Sequence, residues 1–193
     1  MRAIVDAILY AVRNGCPWRA LPHDSPPWKP VSHYARAWRL DGAWERIHDT
    51  LCERVRVRVR VAEGRNPTPS AAMLDSQSVK TTEKRGPRGY DAEEKVTGCK
   101  RHLMVDTLGL IMAAAVHTAD IQDREGAKLA LVKLSGRCPR LTLIWADGGW
   151  RVHGKIAGMG ADHGWVIEIV KKPKGESSFV VLPKRWIVER TFA

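Results

Sequence analysis

Apolar residues recur with the period of an α-helix in the first part of the chain. Within residues 2–14, the apolar residues on one face are Ile4, Ala7, Ile8, Ala11 and Val12. Gly15 follows where a helix can end in a left-handed conformation. The spacing therefore predicts an amphipathic helix over residues 2–14, with its apolar face turned towards a core.

Two more helices are predicted after a loop at residues 16–30 that is rich in proline and tryptophan. Ser32 can cap the first of these helices, and Asp41 can cap the second, which would bury Trp44, Ile47 and Leu51. Residues 54–61 alternate Arg and Val strictly, which is the period of a strand, although they directly continue a helical pattern. The sequence leaves helix and strand open for this segment.

Residues 63–70 contain several turn-forming residues and no apolar period, so they predict a boundary between a helical domain at 1–64 and a second domain at 65–193. Beyond the boundary the apolar runs are short and have strand character. The predicted strands are 72–79, 102–106, 110–117, 141–145 and 165–170.

Two helices and one hairpin turn are predicted between these strands. The first helix covers residues 123–134, where Asp123 can cap, and the second is a weaker, glycine-rich stretch at 152–159. Residues 107–109 predict the tight turn of a hairpin. Three strands in a meander, followed by alternating helices and strands and a closing helix, predict a mixed α/β fold.

Composition is typical of a globular protein, but the charge is not balanced. The 193 residues are 44% apolar and 27% charged, and 32 Lys and Arg face 21 Asp and Glu, for a net charge of +11. Residues 1–70 carry 12 basic and 7 acidic side chains, and residues 71–193 carry 20 and 14. A surplus shared by both parts favours a polyanionic partner, either nucleic acid or an anionic membrane surface.

The sequence has neither a membrane-spanning segment nor a cysteine motif. No apolar stretch approaches the roughly 18 residues that span a bilayer, and the N-terminus does not resemble a secretory signal, so a cytoplasmic protein is expected. The four cysteines lie far apart without a Cys-x-x-Cys pair. We expect buried free thiols and neither disulfides nor a zinc site.

Three acidic residues occupy contexts that suit metal-binding carboxylates. Asp75 and Asp147 accompany apolar runs of strand character, and Glu189 lies in a pattern compatible with a helix. Carboxylates of this kind can hold two divalent cations about 3.5 to 4 Å apart, and such oxygen-rich sites suit Mg²⁺ or Mn²⁺. Taken singly, each acid also has a structural alternative: a turn cap for Asp75, an Asp-Gly turn for Asp147 and an ion pair with Arg185 for Glu189.

The segments around these acids resemble consecutive motifs of one protein family. These segments are 75–80 (DSQSVK), 98–102 (GCKRH), 105–109 (VDTLG), 119–124 (ADIQDR) and 185–193 (RWIVERTFA). In the N-terminal part, residues 7–10 (AILY), 14–19 (NGCPWR) and 38–44 (WRLDGAW) resemble that family's helical domain. The chain is thus similar, over nearly its whole length, to DDE transposases of the bacterial insertion sequence 5 family.

The resemblance implies a fold, a mechanism and a set of ligands. The second domain would have an RNase H-like fold, with a mixed sheet and flanking helices. Asp75, Asp147 and Glu189 would form the metal-binding DDE triad with two Mg²⁺ or Mn²⁺ ions. Metal-bound water would cut at the transposon end, and the freed 3′-hydroxyl would attack target DNA. The partners would be double-stranded terminal inverted repeats and target DNA, with a homodimer assembled on them.

Basic residues near the triad and on a predicted helix of the first domain are candidates for phosphate contacts. These residues are Lys80, Lys100, Arg101, Lys184, Arg185, Arg190, Arg36 and Arg39. For each of them a solvated basic face is the alternative. The two histidines of the predicted hairpin strands, His102 and His117, are interpreted as strand residues and not as metal ligands.

The chain also departs from the family pattern at both ends, because family members carry more residues before Arg2 and continue beyond Ala193. The expectation is a closing helix clipped about one turn after Glu189. Two hypotheses follow, namely an active transposase and a truncated, catalytically inactive remnant that binds DNA.

Overall fold

A computed structural model describes residues 1–81, 86–147, 163–170 and 185–192, with only the backbone for Asp147 and Arg185. It divides into two compact units, Met1–Leu51 and Cys52–Ala193. The helices are α1 (Arg2–Asn14), α2 (Trp28–Leu40), α3 (Ala43–Ala62), α4 (Asp123–Leu134) and α5 (Arg185–Phe192). The strands are β1 (Ala71–Lys80), β2 (Gly89–Asp91), β3 (Val96–Asp106), β4 (Ile111–Thr118), β5 (Leu143–Asp147) and β6 (Val166–Val170).

The first unit is a small helical core built around tryptophans. Ala7 and Ile8 of α1 are buried against Val31 of α2, and Trp38 and Trp44 pack around them. The two indole rings meet edge to face with their centroids 5.4 Å apart, a favourable arrangement for aromatic pairs. As predicted, α1 ends at a glycine in the left-handed conformation. The prediction for Val12 is wrong, because its side chain is exposed and not part of the buried face.

The predicted helix caps are only partly confirmed. Asp41 accepts a hydrogen bond of 2.8 Å from the backbone N–H of Ala43, where α3 begins. The predicted burial of Ile47 and Leu51 on this helix is wrong, because both side chains are exposed. The prediction for Ser32 is wrong, because α2 already begins at Trp28 and the Ser32 hydroxyl donates to a carbonyl inside the helix. Pro30 does not prevent this earlier start, since a proline in the first helical turn removes an N–H that has no intrahelical partner.

Residues 54–61 are helical and form the C-terminal half of α3, so the Arg/Val alternation is not a strand. Arg56 and Arg60 are four residues apart and lie on the same helical face, where both are buried. Arg56 donates to the carbonyl of Ile111 at 3.1 Å, and Arg60 pairs with Asp106 at 2.7 Å. The helix therefore continues because its buried arginines find partners within the second unit.

The second unit is organised around a mixed sheet. The strand order is β2-β3-β1-β5-β6, with β4 also paired to β3. Strand β3 is antiparallel to β1, β2 and β4, whereas β5 runs parallel to β1 and to β6. The predicted mixed α/β class and hairpin are confirmed. Five strands match predicted runs, β3 begins six residues earlier than predicted, and β2 is too short to show a sequence period.

The two faces of the sheet are covered by different helices. The even-numbered Leu74 and Met104 lie in a core cluster with Leu131 of α4. The odd-numbered Met73 and Val105 lie in a second cluster with residues of α5. This separation follows from the alternation of side chains along a strand, and we call the two sides the α4 face and the α5 face. The predicted helix at 152–159 lies outside the described residues.

The prediction that Asp123 caps α4 is wrong, because Asp123 is the first residue of the helix and Gln122 holds the cap position. All four cysteines are free thiols, but only Cys138 is buried. Within the described ranges, no helix has the length and apolar character needed to cross a bilayer.

A histidine pair, the buried His102 and the partly buried His117, lies between the α4 face and helix α4. The rings of His102 and His117 stack with centroids 4.8 Å apart, and His102 is fully buried. Gly126 of α4 lies directly above them, and a Cβ atom at that position would collide with both imidazoles. The helix can therefore approach the sheet this closely only with glycine at this position.

The burial of His102 makes the stability of the fold depend on pH. Burial lowers the pKa of His102 to about 4, with further lowering by His117 and Lys100 and an opposing effect of Asp123. An unfolded histidine has a pKa of about 6.5, so between these values the unfolded chain binds more protons than the folded chain. We expect the stabilising contribution of neutral His102 to be fully present above pH 6.5. The free energy of unfolding should then fall by roughly 3 kcal/mol as the pH drops to 4.

Urea unfolding at pH 7 and pH 4.5 tests this expectation. The parent should lose free energy of unfolding between the two pH values, and His102→Gln should lose distinctly less, because the titrating group is gone. An identical pH dependence of the two proteins would contradict the assignment of the effect to His102.

Candidate functional site

Asp75 lies on the central strand β1, at a position that is almost closed to solvent. Its residue surface is 8% exposed, and its Oδ1 atom accepts a hydrogen bond of 2.8 Å from the backbone N–H of Ser76. Across the antiparallel pair it faces Leu103 of β3. Because Asp75 is two residues from Met73, it belongs to the α5 face of the sheet.

The backbone of Asp147 lies next to that of Asp75. In the parallel pair of β1 and β5, Leu74 is the register partner of Ala146, and the next positions along the two strands are Asp75 and Asp147. Adjacent strands are about 4.8 Å apart. Two acids separated by 71 intervening residues therefore occupy neighbouring backbone positions, and β5 ends at the second of them.

Helix α5 brings Glu189 to the same side of the sheet. Val188 is 1% exposed and packs with Met73 and Val105, which fixes α5 on the α5 face. Glu189 follows Val188 and is exposed. The fold thus arranges the predicted acids on two neighbouring strands and on the helix that covers the face of Asp75.

The donor chemistry of these residues fits a hard divalent cation. Asp75, Asp147 and Glu189 offer carboxylate oxygens, which Mg²⁺ and Mn²⁺ prefer over sulfur or imidazole ligands. Among the described side chains, no three His, Cys, Asp or Glu residues come together as a metal site. The side chain of Asp147 lies outside that set, so the fit rests on the donor types and on the backbone register.

Arg101 is the predicted basic residue that the structure places on the α5 face. Its Nη2 atom donates to the Oε1 atom of Gln77 on β1, and its guanidinium lies 5.4 Å from the ring centroid of Phe192. Both partners hold the guanidinium in place while Arg101 stays partly exposed. The positively charged guanidinium of Arg101 therefore lies between β1, which carries Asp75, and α5, which carries Glu189.

Lys100 lies on the opposite face, where it is buried. Its ammonium pairs with Asp91 at 2.8 Å and with Asp123 at 2.7 Å. Burial opposes its charge, but the two carboxylates outweigh burial and raise the pKa of Lys100. Burial likewise opposes ionisation of Asp91, yet hydrogen bonds from Lys100 and Ser78 lower its pKa to about 2. The structure therefore gives Lys100 a structural role and not the phosphate contact expected from the sequence.

The remaining basic candidates have different environments. Lys80 is exposed at the end of β1, and Arg36 and Arg39 are exposed on α2. Arg190 is also exposed, but it donates to the carbonyl of Leu108 at 3.2 Å and lies 5.0 Å from the ring centroid of Trp186. Arg185 is the first residue of α5, and Lys184 lies outside the described residues.

Sequence reasoning missed the partners of the buried cations. Asp91, Asp106 and Asp123 neutralise Lys100 and Arg60, and none of these three acids was predicted to do so. The alternation of side chains along β3 could have indicated that Lys100 lies away from Asp75. Lys100 is even-numbered, so it cannot share the face of the odd-numbered Leu103, which is opposite Asp75.

Comparison with protein families identifies the class of the second unit. Residues 66–193 match the family model described as Transposase DDE domain, which covers about two thirds of the chain. The chain therefore belongs to the DDE transposases. Residues 1–48 match the DUF4096 model of the IS4/5 transposase family, so the likeness extends to the N-terminal helices.

Comparison with solved structures gives a more distant likeness. The chain is similar to the structure titled "Crystal structure of catalytic core domain of BIV integrase in crystal form I", with 14% sequence identity and a TM-score of 0.38. The match covers 64% of each chain, which is less than two thirds of that catalytic core. No curated protein matches the chain.

Proposed function

We propose that the chain is a metal-dependent DNA transposase in which Asp75, Asp147 and Glu189 hold two divalent cations, Mg²⁺ or Mn²⁺. The observation that carries this proposal is the register of β1 and β5, with positions 75 and 147 side by side inside a DDE transposase domain. Glu189 supports it from α5, which packs on the face of Asp75.

The chain's own residues would contribute binding and orientation. The cations, when bound, activate the attacking oxygen and stabilise the leaving oxygen of an in-line displacement. The hydrogen bond from the Ser76 N–H limits the rotation of the Asp75 carboxylate. Arg101, between Gln77 and Phe192, would neutralise a phosphate close to the acids.

The proposed reaction has two steps of the same kind. Water attacks a phosphodiester at the transposon end, the P–O bond to the 3′-oxygen breaks, and a free 3′-hydroxyl remains. That hydroxyl then attacks a target phosphodiester, so that one P–O bond forms as another breaks. Neither step requires a covalent link between the protein and the DNA.

Strand cleavage on defined DNA tests the proposal. The substrate is a labelled duplex that carries the inverted repeats flanking the gene, and the assay compares Mn²⁺, Mg²⁺ and EDTA. We expect nicks at the repeat ends with either metal and none with EDTA. Binding without any cleavage would contradict the enzymatic proposal, and cleavage without preference for the repeats would indicate a general nuclease.

DNA recognition by the N-terminal unit is the second part of the proposal. Arg36 and Arg39 are exposed three residues apart on α2, close to the exposed His33 on the same helix. Such a stripe can follow a phosphate backbone. Terminal inverted repeats and target DNA are the proposed partners, and a homodimer that holds two ends stays a prediction.

Replacing both arginines by alanine should weaken binding to the repeat duplex and make it less dependent on salt. If each arginine neutralises one phosphate, the slope of log K against log salt should become shallower by about 2. Arg13→Ala, which removes an exposed arginine from α1, serves as the control. Equal effects of the double variant and the control on the slope would contradict a specific role of α2.

A further inference from the structure

The turn between β3 and β4, residues 107–110, is held firmly by the residue that precedes it. The Oδ1 atom of the fully buried Asp106 accepts hydrogen bonds from the backbone N–H groups of Leu108 at 2.9 Å and of Leu110 at 3.0 Å. The N–H of Gly109 donates to the Asp106 carbonyl at 2.9 Å. We call residues 107–110 the β3–β4 turn, and its backbone is fixed by a single carboxylate.

Helix α5 attaches to this turn through the two residues that follow Glu189. Arg190 Nη2 donates to the Leu108 carbonyl at 3.2 Å. The Thr191 hydroxyl lies 3.3 Å from the Gly109 carbonyl and 3.1 Å from the Ile187 carbonyl of its own helix, so its single proton is shared between the turn and α5. Gly109 has a φ of +81°, and a Cβ atom placed there would lie 2.9 Å from Arg190 Nη2 and 3.4 Å from Ile187. Glycine suits this position because its φ is positive, and a Cβ atom here would displace the guanidinium of Arg190 from the turn.

We infer that the β3–β4 turn positions Glu189 for metal binding, with Gly109, Arg190 and Thr191 as the positioning residues. This inference rests on the proposed function of Glu189. Helix α5 is placed by tertiary contacts, in which Val188, Ile187 and Phe192 pack on the sheet. Arg190 and Thr191 contact the β3–β4 turn.

The inference also gives Arg190 a different role from the one expected of a free cation. Its guanidinium is engaged by the Leu108 carbonyl on one side and by the face of Trp186 on the other. Both contacts lie within one helical turn of Glu189, so they restrain the carboxylate indirectly. Arg190 would thus act on catalysis by holding the helix and not by touching the reacting phosphate.

Two glycine variants separate the effect of displacing Arg190 from the general strain of placing a side chain at a positive φ. Gly109→Ala forces an alanine to a positive φ and places its Cβ against Arg190, whereas Gly136→Ala has a similar φ of +74° but meets open space. Both variants are compared with the parent by hydrogen exchange of residues 185–192 and by cleavage of the repeat duplex at increasing Mn²⁺.

Gly109→Ala should exchange residues 185–192 about tenfold faster and require about tenfold more Mn²⁺ for half-maximal cleavage, as for a residue that orients a ligand. Cleavage at saturating Mn²⁺ should return to within about twofold of the parent. Gly136→Ala should change neither property. Unchanged exchange in Gly109→Ala, or an equal change in Gly136→Ala, would overturn the inference.

Thr191→Val keeps the test decisive if Gly109→Ala does not fold. It preserves the shape of Thr191 and removes the hydroxyl donor, so the same two readouts should move in the same direction. Glu189→Gln tests the metal-binding role of Glu189 separately from the placement of α5 by the turn. If it leaves the Mn²⁺ requirement unchanged, the proposed function of Glu189 fails, while the exchange data alone still decide whether the turn holds α5.

Discussion

Replacing Asp75 with asparagine is expected to abolish metal-dependent strand cleavage while the protein stays folded. Asparagine keeps the size of the side chain and an oxygen that can accept the Ser76 N–H. It removes the negative charge that a divalent cation requires at this position. Loss of several kcal/mol of metal-derived stabilisation in the transition state corresponds to a cleavage rate roughly a thousandfold lower.

The control for Asp75→Asn replaces another acid of the same unit, remote from the site. Glu94 is exposed in the connection between β2 and β3, so Glu94→Gln removes one carboxylate charge at the surface. We expect Glu94→Gln to cleave at the parent rate and both variants to bind the repeat duplex as tightly as the parent. If Asp75→Asn retains more than a tenth of the parent cleavage rate, Asp75 is not an essential metal ligand.

The second large effect is on stability, at the buried ion pair of Arg60 and Asp106. The Arg60 side chain is 7% exposed, the Asp106 side chain is fully buried, and Nη1 and Oδ2 are 2.7 Å apart. Arg60 Nε also donates to the Asn66 carbonyl at 2.6 Å. Arg60→Met would leave the buried Asp106 without its cation, and breaking a buried pair in this way typically costs about 3 to 5 kcal/mol.

Chemical denaturation of Arg60→Met and Arg58→Met measures this effect against a matched control. Arg58 belongs to the same Arg/Val run of α3 but is exposed, so its replacement should leave the free energy of unfolding nearly unchanged. Arg60→Met should lower the free energy of unfolding by about 3 to 5 kcal/mol, and a thermal melt of the same variant should show a midpoint about 10 °C lower. Similar stabilities of the two variants would contradict a structural role of the buried pair.

The helices and strands could be predicted where one periodicity dominated. Helix α4 matches its predicted range, and β1 extends the predicted run by one residue at each end. The run at residues 54–61 could not be decided, because its apolar period favoured a strand and its buried side chains are arginines. Only the partners Asp106 and Ile111, distant in sequence, reveal why the helix continues.

The candidate site was predictable to the extent that local sequence defines it. The motifs around Asp75, Asp147 and Glu189 indicated their type, but the neighbouring positions of Asp75 and Asp147 depend on strand register, which no local pattern specifies. Charge alone could not separate Lys100 from Arg101. Their opposite faces, and hence their different partners, follow from the strand geometry.

In the proposed site, the side chains of Asp75, Asp147 and Glu189 bind divalent cations together. Anomalous scattering from crystals soaked in MnCl₂ would locate these ions, with Asp147→Asn crystals as the control. We predict manganese peaks at the carboxylates of Asp75, Asp147 and Glu189 that are lost in Asp147→Asn. Manganese bound elsewhere, for example at Asp91 and Asp123, with none beside Asp75, would contradict the claim.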